Sequence, residues 1–205
     1  MRIHPAVVLL TIASPLVLAG CLGKVKYPTY YALQLPPVAT APVNKAATGS
    51  IAVHEFRSQE YLRRGSIVYR PSVEEVAFYD YHRWATEPPK TVTEAVVNHL
   101  RASGSFTQVK TYDGRSDVDY VLTGKLERLD EVDYGGGVKV EVALSAELVD
   151  SHSGKTVWQD SASETAMVDK REISGVVSTM SQVTDRAISK LLESLVASTS
   201  TKSGL

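Results

Sequence analysis

The alternation of apolar and polar positions is the strongest structural signal in the chain, and it predicts a sheet. Between residues 138 and 148 every second side chain is apolar, while Lys139, Glu141, Ser145 and Glu147 lie among the positions between them. A period of two residues places one face of a strand against a core and the other face in water. We therefore predict a long antiparallel strand here, preceded by a turn at the glycines of residues 135–137.

Several other segments are rich in β-branched and aromatic residues, and these too predict strands. One of them, residues 119–130, alternates until Leu129 shifts the phase, which predicts a β-bulge or a strong twist. With the strand at 138–148 and a last strand that begins at Thr156, it predicts a three-stranded antiparallel meander within residues 118–165. The remaining predicted strands cover residues 30–35, 50–56, 66–70 and 75–84.

Two helices are predicted by apolar residues that recur with a period of about 3.6. The first begins at Pro88 and Pro89 and ends at Gly104, which suits the left-handed residue that closes many helices. The second starts near Asp169, with Glu172 three residues later as a capping partner, and its apolar stripe needs a sheet to cover it. The order of elements predicts a single α+β domain in which both helices pack on one mixed or mostly antiparallel sheet.

The first twenty residues have the pattern of an export signal. Arg2 is followed by an uncharged, mostly apolar run over residues 6–20, which is shorter than the roughly 20 apolar residues of a membrane-spanning helix. Residues 18–21, Leu-Ala-Gly-Cys, resemble the lipobox of bacterial lipoproteins, and this resemblance implies cleavage before Cys21 and lipidation of its thiol. The alternative is an ordinary cysteine that follows a plain secretory signal.

The composition excludes several classes of protein. Cys21 is the only cysteine, so an intramolecular disulfide is excluded and the domain must be stabilised by its core. Without residues 1–20 the chain has 21 basic and 23 acidic residues, a balance that gives no indication of a nucleic-acid partner. The predicted organisation is a signal peptide at 1–20, a lipidated N-terminus and tether at 21–29, the domain at 30–197 and a flexible tail at 198–205.

The order of several short motifs resembles one family of envelope proteins. A tyrosine-containing segment at 30–33 follows the lipobox, and Ile-Val-Tyr-Arg closes a strand at 67–70. Arg-Trp-Ala at 83–85 precedes a proline-led helix that ends in Ser-Gly-Ser-Phe at 103–106. This arrangement, over roughly residues 29–195, resembles the ABC-type transport auxiliary lipoproteins, the PqiC/YmbA-like family.

The resemblance implies a non-enzymatic component, without a cofactor, of a system that moves lipids or other apolar molecules across the envelope. Its implied partners are an MCE-domain protein and the associated permease, and it implies a homo-oligomeric ring held at the membrane by the lipid anchor. In enteric-type sorting, an Asp directly after the lipidated cysteine favours the inner membrane. Leu22 stands at that position, which favours the outer membrane, facing the periplasm, over the periplasmic face of the inner membrane.

The segment from Arg70 to Trp84 is the part of the chain that we expect to bind a partner. It also contains Tyr79, Tyr81 and Arg83, and these residue types are enriched in interfaces because they join rigid apolar area to a polar group. The alternative is that Trp84 and the tyrosines of one strand face fill the core while Arg83 lies in solvent.

No motif in the sequence predicts catalysis or metal binding. The chain lacks the Gly-x-Ser-x-Gly, Ser-x-x-Lys, His-Glu-x-x-His and phosphate-binding glycine patterns, and its histidines do not pair on a helix face as zinc ligands do. Two other functions stay open: a periplasmic lipoprotein that holds a small apolar molecule in its own domain, and an envelope hydrolase. An empty apolar cavity within the monomer would favour the first of these two.

Overall fold

The computed structural model describes residues 26–38, 47–115 and 117–202, and it confirms a single α+β domain. Cys21, and with it the predicted signal peptide and lipobox, lies outside the described residues. Within the described ranges, nine strands form one mixed sheet, and two long helices cover one of its faces.

The elements are numbered in chain order. The strands are β1 (Thr29–Tyr31), β2 (Ser50–Val53), β3 (Arg57–Ser58), β4 (Ser66–Arg70), β5 (Ala77–Trp84), β6 (Gln108–Thr111), β7 (Tyr120–Val132), β8 (Lys139–Asp150) and β9 (Thr156–Met167). The helices are α1 (Pro88–Ser103) and α2 (Ile173–Lys202), and a short 3₁₀ turn covers Glu60–Arg64.

The predicted meander forms the centre of the sheet. β7 pairs antiparallel with β8 along its whole length, and β8 pairs antiparallel with β9. The register of β7 against β8 shifts between Leu126 and Arg128, so the phase change that the sequence shows at Leu129 is a β-bulge. After the bulge Leu129 lies opposite the buried Val142, which keeps the apolar side chains of both strands on the helix-covered face.

The other edge of β7 is shared by three short strands that pair with it in parallel. β2 pairs near its start, β3 near its middle and β4 at its end. β6 extends the sheet from β2, while β5 and then β1 extend it from β4. The sequence predicted neither β3 nor β6, because strands of two and four residues show too few alternations to produce a pattern.

The core lies between the central strands and the two helices. On β8 the even-numbered side chains from Val140 to Leu148 are buried, as the alternation predicted. Phe56, which follows β2, packs its ring over Gly124 of β7, where a Cβ would collide with the ring. The buried side chains of α2 include Val176, Met180, Val183, Ala187, Leu191 and Leu195.

α1 has the boundaries that the sequence predicted. It begins at Pro88, and Gly104 follows its last residue with a φ of 62° in the left-handed region. The N–H of Gly104 donates to the carbonyl of Arg101 at 3.3 Å, which closes the last turn.

The predicted first strand, residues 30–35, was wrong at its C-terminal end. The strand stops at Tyr31, and the chain then leaves the sheet to cross α2. There the backbone N–H of Gln34 donates to the hydroxyl of Ser181 at 3.0 Å, and Leu33 is buried. The apolar positions after Tyr31 therefore pack on a helix instead of continuing a strand.

α2 begins four residues later than the predicted start near Asp169. The N–H of Val168 donates to the carbonyl of Val138 at 2.9 Å, so the chain is still held to the sheet at that point. The helix starts after Glu172, whose carbonyl accepts a hydrogen bond from the N–H of Val176 at 3.0 Å. At its other end α2 continues to Lys202, into the segment 198–205 that was predicted to be a flexible tail.

Candidate functional site

β5 carries four of the five residues predicted to bind a partner, and it bulges where they lie. Ser66 of β4 pairs with Arg83, whereas Val68 pairs with Phe78. Residues 79–82 of β5 therefore lie opposite a single residue of β4. A bulge of this kind interrupts the alternation of side chains, so the two tyrosines within it have different environments.

Arg70, at the end of β4, points into the molecule. Its Nε donates to Oδ2 of Asp130 at 2.6 Å, and the two side chains are 13% and 0% exposed. The hydroxyl of Tyr61 donates to Oδ1 of the same carboxylate at 3.1 Å, and Nε of Arg128 lies 3.8 Å from it. Burial, with the charge of Asp130 second, raises the pKa of Tyr61 to about 12. Tyr61 is therefore a neutral donor, and Arg70 neutralises a buried acid.

Tyr79 has a similar role on the other face of β7. Its hydroxyl donates to Oε2 of Glu131 at 2.9 Å, and Glu131 is only 5% exposed. Burial raises the pKa of Glu131, and burial together with the charge of Glu131 raises the pKa of Tyr79. The ring of Tyr79 also packs on that of Tyr69, with 4.7 Å between the ring centroids. Tyr79 and Glu131 are therefore both held by contacts inside the domain.

The remaining three residues of the predicted site separate into buried and exposed ones. Trp84 is 6% exposed and belongs to the core, which is the alternative that the sequence left open. Tyr81 is 39% exposed, and Arg83 is exposed. Arg83 pairs with Tyr30 of the neighbouring β1, and Tyr30 is 60% exposed. The surface part of the predicted site thus consists of Tyr81, Arg83 and one tyrosine that sequence reasoning did not include.

Sequence reasoning also missed the two buried acids that organise this region. Asp130 and Glu131 occur near the end of β7, which extends to Val132, beyond the predicted end of the strand at residue 130. Two consecutive acids near the end of an alternating strand were a usable signal, because one of them must lie on the core-facing side, where such groups are rarely buried without partners. The partners, Arg70 and Tyr79, are 60 and 52 residues away along the chain, respectively.

Open grooves lie on the helix layer in the described part of the chain, and a smaller one lies on the strands beside Gly124. One has a volume of about 630 Å³ and lies between α1 and the segment that crosses the helices after β1. A second, of about 420 Å³, lies between α1 and α2 and is lined mainly by aliphatic side chains such as Leu192 and Val196. The space between sheet and helices is filled by the core side chains described above.

Two features are absent from residues 26–38, 47–115 and 117–202. Among them, no group of three or more His, Cys, Asp or Glu side chains is arranged to hold a metal ion. Neither α1 nor α2, nor any other helix in those ranges, has the length and apolar character that crossing a bilayer requires.

Two solved structures have the same fold as this chain, and a third matches it more weakly. A crystal structure of a protein from Xanthomonas campestris matches with a TM-score of 0.75 and 19% identity, covering 86% of this chain and 100% of that one. A second crystal structure, of an uncharacterized protein, matches with a TM-score of 0.62 and 15% identity, covering 82% and 99%. PelC from Paraburkholderia phytofirmans, described as a dodecamer, matches with a TM-score of 0.49 and 18% identity, covering 75% and 91%.

The family comparison covers most of the domain. The comparison with curated proteins finds no match. A family model described as ABC-type transport auxiliary lipoprotein component matches residues 31–191, from the end of β1 to the second half of α2. The chain therefore belongs to the family of ABC-type transport auxiliary lipoprotein components.

Proposed function

We propose that this chain is a non-enzymatic, lipid-anchored auxiliary component of an MCE-type ABC transport system, which moves lipids or other apolar molecules across the envelope. The observation that carries the proposal is the family match over residues 31–191. The order of motifs in the sequence supports the MCE-domain protein and its permease as the partners.

The anchor in this proposal is the thiol of Cys21. The lipobox at residues 18–21 supports cleavage before this cysteine and acylation of the sulfur and the new amine. Several acyl chains bind a bilayer strongly, since each buried methylene contributes about 0.8 kcal/mol. Leu22 supports the outer membrane as the destination, with the domain in the periplasm.

The surface proposed for the partner protein is the edge of the sheet at β1. Here Arg83 is exposed and lies beside Tyr30 in the parallel pairing of β1 with β5. Arg and Tyr are the residue types on which interface energy concentrates. Arg70 and Tyr79 are held inside by carboxylates, so Arg83 is the residue of the predicted site that we expect to contact the MCE-domain protein.

A pull-down tests this function. The full chain with a C-terminal tag is purified from detergent-solubilised envelopes, and co-eluting proteins are identified by mass spectrometry. We expect the MCE-domain protein to be retained, and the variant Arg83→Ala to retain roughly tenfold less, the loss expected when about 1.4 kcal/mol of an interface contact is removed. Arg101→Ala, another exposed arginine on a different element, is the matched control and should retain as much as the wild type.

Two results would contradict the proposal. Retention of no transport component by the wild-type chain would remove the transport role. Equal retention by Arg83→Ala and the wild type would move the partner surface away from β1. The proposed homo-oligomeric ring is tested separately by mass photometry of the same preparation, where a single population of monomers would refute it.

A further inference from the structure

The large hydrophobic side chains that the described part of the chain exposes lie at one end of the sheet and on the neighbouring β5 bulge and β1 edge. Tyr27 is 78% exposed, Val73 64%, Met167 61% and Tyr81 39%. A fifth, Tyr30, is 60% exposed and lies along the β1 edge. Isolated exposed hydrophobic residues are ordinary, but several on one side of a molecule indicate a surface that meets another apolar body.

The strand register places Val73 and Met167 at the same end. Arg70, the last residue of β4, pairs with Val132, the last residue of β7, and the loop that follows Arg70 carries Val73. After Val132 the chain turns into β8, whose first residue, Lys139, pairs with Met167. The loop after β4, the turn before β8 and the end of β9 therefore lie in one row.

The N-terminus of the described chain approaches this row. β1 runs parallel to β5, with Thr29 paired with His82, so residues 26–28 lie beside the earlier part of β5. That part of β5 follows directly from the loop with Val73. The ammonium group of Lys26 lies over the ring of Tyr81, 4.3 Å from its centroid. We call the end of the sheet defined by Tyr27, Val73, Tyr81 and Met167 the tether end.

The distance from the tether end to the proposed anchor is short. This step rests on the proposed function, in which Cys21 carries lipid. Five peptide steps separate Cys21 from Lys26, and they reach at most about 18 Å even when fully extended. The row of strands from β1 to β9 is about 24 Å wide, for five spacings of about 4.8 Å. The tether is therefore shorter than the sheet is wide. A domain on so short a tether cannot turn its tether end far from the bilayer.

We propose that the tether end is a membrane-contact surface that lies on the lipid bilayer beside the anchor. Tyrosine suits the headgroup region because its ring is apolar and its hydroxyl is polar. Val73 and Met167 supply aliphatic area that can reach the acyl boundary, and the ammonium group of Lys26, which lies over the ring of Tyr81, adds a cation at the level of the headgroups.

The charge at this end indicates which lipids it takes. Exposed acids lie next to Val73, at Glu74 and Glu75, and exposed bases lie near the start of α2, at Lys170 and Arg171. Such a mixture gives little net attraction to anionic headgroups, unlike a polybasic patch. The contact is therefore driven by apolar insertion, and we expect it on zwitterionic membranes as much as on anionic ones.

The opposite end of the sheet offers a matched control. The turn between β8 and β9, residues 151–155, is exposed and reads Ser-His-Ser-Gly-Lys. The hydroxyl of Ser153 donates to the carboxylate of Asp150 at 2.8 Å, which closes the turn. This end has no large exposed apolar side chain among the described residues.

The test places a fluorescent probe at either end of the full-length chain. Val73→Cys, Met167→Cys and Ser153→Cys are each labelled with an environment-sensitive maleimide, which cannot react with an acylated Cys21. The labelled proteins are incorporated into phosphatidylcholine vesicles with and without phosphatidylglycerol, and the quencher is a nitroxide carried on the lipid near its headgroup. Intact mass spectrometry of each sample establishes whether Cys21 is acylated.

We expect probes at positions 73 and 167 to lose most of their fluorescence in both kinds of vesicle, and the probe at position 153 to keep it. Acylated protein whose probes at 73 and 167 stay as bright as the probe at 153 would overturn this inference and leave the proposed function standing. Protein without lipid that does not associate with vesicles would overturn both. Quenching that requires phosphatidylglycerol would overturn the apolar mode of contact.

Discussion

The two halves of the segment from Arg70 to Trp84 have opposite roles although their composition is alike. Arg70 and Tyr79 are held by buried carboxylates, whereas Tyr81 and Arg83 are open to solvent. Residue types enriched in interfaces are equally suited to neutralising acids inside a domain, because each brings a polar group on an apolar stem. The partner of a residue, and not its type, therefore decides whether it stabilises the fold or contacts another molecule.

The buried contacts of the internal half add little net free energy to folding, but removing one partner from such a contact destabilises the domain strongly. A buried ion pair such as Arg70 with Asp130 roughly balances its Coulomb energy against the loss of hydration. Removing one partner, however, leaves a charge in the core without compensation. The exposed half lacks this asymmetry, since water replaces any contact that is lost.

Arg70→Ala should lower the free energy of unfolding by about 3 kcal/mol, the cost of an unpaired buried carboxylate. The nearest other cation, Nε of Arg128, lies 3.8 Å from Asp130 and compensates only in part. Urea unfolding followed by circular dichroism measures the change. Arg83→Ala is the matched control and should stay within about 0.5 kcal/mol of the wild type. Equal losses in the two variants would refute the division of the segment.

Tyr79→Phe should cost about 1 to 2 kcal/mol, because it leaves the 5% exposed Glu131 without its hydroxyl donor. Tyr81→Phe removes the same atom from an exposed ring and should cost almost nothing. The two variants are compared by the same urea titration. A larger loss of unfolding free energy in Tyr81→Phe than in Tyr79→Phe would contradict the assignment of Tyr79 to the internal half of the segment.

Glu131→Gln should change how stability depends on pH. Burial raises the pKa of Glu131 in the folded state above the value of 4.5 in the unfolded chain. In this pH range the folded protein therefore binds more protons than the unfolded chain. The stability that Glu131 contributes is lost as the pH rises from 4.5 through the folded pKa. The amide oxygen of Gln can still accept from Tyr79. The unfolding free energy of the variant should therefore rise relative to that of the wild type as the pH rises. A difference that stays constant with pH would contradict a raised pKa of Glu131 in the folded state.

Tyr81→Ser should leave the stability of the domain within about 0.5 kcal/mol of the wild type, since the side chain is 39% exposed and its ring contact is with Lys26. Thermal unfolding in detergent measures this. A loss comparable with that of Tyr79→Phe would show that Tyr81 belongs to the internal half.

Much of the fold could be predicted from local patterns in the sequence. The even-numbered side chains of β8, the bulge near Leu129 and both ends of α1 follow from neighbours within a few residues, so the sequence predicted them. The parallel pairing of β2, β3 and β4 with β7 depends on contacts across many residues and leaves no local signal.

The candidate site was harder to predict for the same reason. Arg70 looked like a surface residue because Asp130, the acid that it pairs with, is 60 residues away along the chain. Tyr27 precedes the predicted domain, and Tyr30 is its first residue. No local pattern shows that β1 brings these two tyrosines beside β5. Composition identified the segment but could not divide it.

Both proposals depend on lipid at Cys21, and the intact mass of protein extracted from membranes tests that claim most directly. We expect a chain that starts at Cys21 and carries a diacylglycerol and a further acyl group, and we expect Cys21→Ser to prevent this modification. A mass equal to the unmodified polypeptide, with or without residues 1–20, would contradict it.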